Sequence, residues 1–173
     1  MTRFWRRRFA AAAICGATLA SCTNAPPGLR TVVSDYYAVY AERSDAEAFL
    51  SFHADSVELR DYVAGERIQG VEALREFFDW GDPSFRMRDS VALVVQDIVV
   101  EANRAVVKGH FTPFAWAGLP FEAMQFTTIL TFDAEQRIAL QEDWINYPTD
   151  LLDYDSRKNS NHWIPGFLPD SLP

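Results

Sequence analysis

The sequence predicts an α+β domain with helices covering one face of an antiparallel sheet. Three observations carry that prediction. Apolar residues recur at helical spacing before about residue 80, beyond about residue 85 the chain runs in long strand-like segments, and short turn-forming stretches separate those segments. Strands that follow one another with short connections imply a meander.

The elements follow in order. Residues 30–42, RTVVSDYYAVYAE, place Val33, Tyr37 and Tyr40 at helical spacing, with Val32, Tyr36 and Val39 broadening the stripe. Ser44 and Glu47 form a capping box for a second, short helix with Ala48, Phe49 and Phe52 on its apolar side. His53 then falls at that helix's end, positioned to cap its carbonyls. Residues 56–62 read as a strand, and 66–69 pair back after the turn at Gly65. A third helix spans 70–80, with Leu74, Phe77 and Phe78 facing inward, and GDPS at 81–84 breaks it. Strands are expected at 91–100, 105–114, 121–132 and 137–147, with turns near Asn103, over 115–120 and at DAEQ.

The first residues read as an export signal rather than as part of the fold. Arg3, Arg6, Arg7 and Arg8 precede an apolar run from Phe9 to Leu19, too short for a permanent membrane span. Leu19-Ala20-Ser21-Cys22 resembles the lipobox of bacterial lipoproteins, which implies cleavage after residue 21 and a lipid on Cys22. Arg6-Arg7 also fits a twin-arginine signal, and the export route stays open between the two. The expected organisation is a signal peptide at 1–21, a lipidated tether at 22–29, the domain at 30–148 and a tail at 149–173. The expected location is the periplasmic side of the cell envelope, lipid-anchored. Thr23, standing where an aspartate would retain the protein in the inner membrane, favours the outer one.

Charge and cysteine content narrow the function classes. Loss of the four signal arginines takes the formal charge from −8 to −12. So acidic a body repels nucleic-acid backbones and anionic headgroups, leaving the N-terminal lipid as the membrane contact. Cys15 lies in the signal and Cys22 is the lipid site, so the domain has no disulfide and relies on an aromatic-rich core. His53, His110 and His162 are widely separated, with no HExxH or CxxC, so no metal and no cofactor are expected.

The stretches YYAVYAERSDAEAFLSFHADSVELRDYVAG, GVEALREFF and LQEDWINYP, in that order, resemble the SnoaL-like branch of the NTF2-like superfamily over residues 30–148. The resemblance implies a strongly curved sheet wrapped around three helices, a cone with a deep pocket for a small apolar molecule, and a homodimer. It also implies carboxylate chemistry, because polyketide cyclases, ketosteroid isomerases and limonene-type epoxide hydrolases of this superfamily use carboxylates inside the cone. Other members only bind or assemble, so a noncatalytic pocket or a dimerising scaffold stands as the alternative.

On that resemblance Asp61, nine residues before Gly70, corresponds to the pocket carboxylate after the first strand. Asp143 corresponds to an acid of the last strand. The strand AVVKGHFTPF lacks the arginine and second acid of the epoxide hydrolase relay, and His110 is its titratable candidate besides Lys108. The catalytic candidates are therefore Asp61, Asp143, His110 and Tyr37, and the ligand-contacting candidates are Tyr36, Tyr40, Trp144, Asn146 and Phe126. A carboxylate in an aromatic pocket becomes a stronger base, and a tyrosine or histidine can hydrogen-bond a developing enolate. Alternation leaves the facing of Asp143 and Trp144 undecided, and it puts His110 on the parity of Lys108 and Thr112, a solvent-like face. Asp61 equally fits a solvent-facing strand end.

Overall fold

The computed structural model describes residues 28–152 and 160–163. The expected signal at 1–21, Cys22, and most of the tether and tail lie outside the described residues.

Helix α1 (Leu29–Glu42) buries Val33, Tyr36, Tyr37 and Tyr40, spaced three, four and seven apart, so one stripe faces the core. It stops at Arg43, whose backbone is left-handed (φ 48°) and whose N–H closes the last turn on the Val39 carbonyl. Helix α2 (Ala46–Ser51) starts one residue later than the sequence implies: the cap is Asp45, whose carboxylate accepts from the Ala48 N–H at 2.9 Å, not Ser44. Helix α3 (Val71–Phe78) begins after Gly70, which stands at φ +86°, a conformation open to glycine.

The strands are β1 (His53–Asp61), β2 (Glu66–Gln69), β3 (Arg86–Met87), β4 (Leu93–Glu101), β5 (Arg104–Phe111), β6 (Phe114–Trp116), β7 (Leu119–Phe121), β8 (Met124–Phe132) and β9 (Ile138–Ile145). Six form the main sheet in the order β2-β1-β9-β8-β5-β4, and β3, β6 and β7 form a small second sheet. Register irregularities in β1, β4 and at the end of β8 bend the main sheet. Its concave side packs on α1 and α2 through Phe49, Val57, Leu59, Val107, Phe126 and Leu130.

Two expectations are corrected. The sheet is mixed, because β9 lies parallel to β1 while pairing antiparallel with β8. The strand expected over 105–114 breaks after Phe111: Pro113 has no N–H, and Thr112 instead bonds the Val91 carbonyl through its hydroxyl at 2.6 Å. The turn expected over 115–120 is the β6–β7 hairpin, its tip formed by Ala117 and Gly118, both at positive φ.

Candidate functional site

The bent sheet and α1 enclose a cavity of about 200 Å³. Leu59, Phe111, Met124, Phe126 and Ile145 form apolar wall, and Tyr37 and Tyr40 project from α1 into the same space. Phe77, Phe78, Phe85, Met87 and Phe114 complete the lining from α3 and the small sheet, and the exposure of Phe77 and Met87 marks the opening.

Polar groups sit at one end. Asp61 faces Asp143 across the parallel β1–β9 pair, and Asp143 faces Thr128 across the antiparallel β9–β8 pair. One row of the sheet thus brings Asp61, Asp143 and Thr128 together, all buried and all lining the cavity. Gln141, two residues before Asp143 on β9, shares its inward face.

The two acids are held differently. Asp61 Oδ1 accepts from the Val63 and Ala64 N–H groups at 2.9 and 2.8 Å, and Oδ2 accepts from the Tyr147 hydroxyl. It is both the clasp of the β1–β2 turn and part of the cavity wall. Asp143 accepts from the Thr128 hydroxyl at 2.5 Å and from Gln141 Nε2 at 2.8 Å. The Gln141 carbonyl oxygen in turn accepts from the Tyr36 hydroxyl at 3.0 Å, which fixes the amide's orientation. Burial raises the Asp143 carboxyl to about 7, against the Thr128 and Gln141 hydrogen bonds that lower it, and nearby Asp61 adds to the rise. The Tyr37 and Tyr40 hydroxyls are pushed up by burial and keep their protons near neutral pH.

Of the sequence candidates, Asp61, Asp143, Tyr37, Tyr40 and Phe126 line the cavity together. The others stand elsewhere. Tyr36 lies fully buried behind the wall and acts on Asp143 through Gln141. His110 is half-exposed beside Gln96, because β5 turns Val107, Gly109 and Phe111 inward and no bulge falls on it to reverse His110. Trp144 and Asn146 alternate outward from Asp143 and Ile145. Trp144 stacks on Tyr62 at 4.5 Å on the outer face of the sheet. His53 does not cap α2 at hydrogen-bonding geometry. It starts β1, buried against the Tyr36 and Phe49 rings, with neither ring nitrogen within hydrogen-bonding geometry of a described residue.

Arg43, Thr128, Gln141 and Tyr147 were not singled out from the sequence. The shared parity of Gln141 with Asp143 was a usable signal, whereas Thr128 becomes visible only with the β8–β9 register. Among the described residues no group of three His, Cys, Asp or Glu side chains is arranged to hold a metal ion.

The sequence model of the SnoaL-like domain matches residues 33–141. None of the functionally curated proteins matches the chain. Solved structures do. An NTF2-like protein of unknown function from Burkholderia pseudomallei is 18% identical, with 68% of this chain and 90% of that one covered, at a TM-score of 0.56. A protein of ketosteroid isomerase-like fold from Catenulispora acidiphila, in complex with trimethylamine, is 15% identical over 80% of this chain and 97% of that one, at 0.56. TerC, co-crystallised with polyporic acid, is 19% identical over 75% and 94%, at 0.52. At these identities the likeness establishes the fold, an NTF2-like curved sheet around helices.

Proposed function

Because the chain belongs to the SnoaL-like domain family, we propose that its cavity takes a small hydrophobic carbonyl compound and moves a proton on it. One observation carries this reading: Asp143, a carboxyl raised to about 7, stands on the wall of an otherwise largely apolar cavity. A base poised near the working pH transfers protons most effectively. In the proposed step Asp143 takes a proton from the carbon beside the carbonyl. The C–H electron pair forms the enolate, Tyr37 or Tyr40 hydrogen-bonds its oxygen, and Asp143 returns the proton to the same or a conjugated carbon. Asp61 shapes the wall beside it, its oxygens being engaged by the turn and Tyr147.

The test is proton exchange. 2-Tetralone incubated with the protein in D₂O should lose its α-proton NMR signals faster than in buffer. Asp143→Asn should remove about 100-fold or more of that acceleration. Exchange no faster than in buffer would leave the alternative, a noncatalytic ligand holder that still binds the ketone or a dimerising scaffold that does not, and equal acceleration by both proteins would remove Asp143 as the base.

The finer setting is also proposed. Export and lipidation at Cys22 rest on the signal-like residues 1–21 and the Leu19–Cys22 lipobox resemblance. Cys22→Ser should then move the protein from membranes to the soluble fraction. A homodimer rests on the family resemblance and on the outward Val99, Val106 and Trp144 of the sheet. Sedimentation of wild type against Val106→Glu tests it.

A further inference from the structure

The cavity is not uniformly apolar away from the acids. Arg43 lines it too, and is the one cation among its described lining residues. Its position follows from the end of α1. The left-handed backbone at Arg43 turns the chain, and the guanidinium carbon lies 5.1 Å from the Trp80 ring centre and 4.5 Å from that of Phe85. Aromatic faces hold a guanidinium without using its N–H groups, which lie in its own plane.

Those N–H groups have no hydrogen bond or ion pair with any described residue. Asp79 and Asp82 are near enough to be felt but not paired. The Asp82 oxygens accept from the Ser84 N–H and the Trp116 Nε1–H, both at 2.7 Å. A half-buried guanidinium whose N–H groups meet no described partner is placed to receive an oxyanion.

Position along α1 gives the second argument. Arg43 follows Tyr36 by seven residues, about 10 Å along a helix axis. Tyr36 reaches Gln141 and, through it, Asp143, whereas Arg43 packs on Trp80 and Phe85, so the cation and the acids meet different parts of the hollow. A ligand filling it meets one positive charge, several rings and the carboxyls.

We propose that Arg43 anchors an anionic group, so that the cavity's ligands are flat aromatic or alicyclic carboxylates, held with the carboxylate on Arg43 and the carbon skeleton running toward Asp143. This rests on the cavity reading above and narrows it: the substrate is an amphiphilic acid rather than a purely apolar molecule.

The experiment compares 2-naphthoate with its neutral isostere 2-naphthamide by calorimetric titration of the intact protein. Wild type should bind the acid about tenfold or more tighter than the amide, and 0.5 M salt should shrink the gap. Arg43→Gln should abolish the preference, while Arg43→Lys should keep part of it. If wild type binds acid and amide equally, or Arg43→Gln keeps the tenfold gap, the anchoring role is overturned and the cavity stands. If wild type binds neither probe, the cavity reading falls with it. Should Arg43→Gln fail to fold, the Arg43→Lys titration and the wild-type acid-to-amide ratio decide.

Discussion

Asp61 and Asp143 stand directly opposite each other in the parallel pairing of β1 with β9, both almost wholly buried, at 2% and 6% exposure. Neighbouring buried carboxyls resist ionising together. Backbone amides and a tyrosine hold Asp61, while Asp143 has a hydroxyl and an amide and is raised by burial, with a further push from Asp61.

That division has a pH signature. The folded-state Asp143 carboxyl lies near 7, above its ordinary value of 3.8, so the folded protein holds more protons than the unfolded chain between those limits. This contribution to stability is fully present below about 3.8 and is lost as pH rises to 7. The loss is on the order of a few kcal/mol. Carboxyl carbon NMR should place the Asp143 midpoint near 7. Asp143→Asn should melt higher than wild type at pH 8, with a smaller difference at pH 5. A midpoint near 4 would contradict the burial argument.

His53 acts in the opposite direction. Burial lowers its imidazole from 6.5 to about 4, and the Leu50 and Phe49 carbonyls and Gln141 only soften the shift. A folded-state value below the unfolded one gives stability that is present above 6.5 and lost as pH falls to 4. Between pH 4 and 6.5 the two residues partly cancel, so wild-type melting should be nearly flat there and Asp143→Asn should expose a rising slope. His53→Phe removes a titrating group whose nitrogens meet no described partner and keeps the ring contacts. Its melting temperature should rise on acidification from pH 6.5 to 4.5, where that of wild type stays nearly flat.

The Asp61 clasp is predicted to be structural first. Tyr147→Phe deletes one hydrogen bond to a buried carboxylate and should cost about 1–3 kcal/mol. Asp61→Ala deletes all three and leaves the Val63 and Ala64 amides and the Tyr147 hydroxyl short of their partner, so it should cost more. Urea midpoints of the two variants order these costs. An Asp61→Ala protein as stable as wild type would remove the clasp.

Gly109 permits a close approach inside β5. A methyl group there would come within 3.0 Å of the Val94 carbonyl and the Phe126 ring. Gly109→Ala should therefore destabilise by about 1–3 kcal/mol and displace Phe126 from the cavity wall. Thermal melting reads the first effect. Loss of naphthamide affinity reads the second.

Much of the architecture was readable because it is local. The Val33, Tyr37, Tyr40 stripe, the pairing of 66–69 with the strand before it, and the Asp133 turn all rest on spacings of a few residues. The parallel neighbour of β1 was not, since it is β9, about eighty residues away, and adjacency in sequence argued for a simple meander. The facing of β9 was hidden because polar residues occur on both sides: Gln141 and Asp143 inward, Glu142 and Asn146 outward. Consecutive Tyr36 and Tyr37 are both buried because the apolar face of α1 is wide, spanning the wall behind Gln141 and the cavity itself. Arg43 carried no sequence signal, since its role depends on Trp80 and Phe85 arriving from beyond α3.

The parallel pairing also bears on how the protein is made. Closing β1 against β9 joins segments separated by most of the domain, a long-range pairing whose loop-closure cost slows folding. A nascent chain that has not yet emitted residues 138–145 has no second acid and no completed wall. Clipping the final strand should therefore silence the site in one event rather than by degrees.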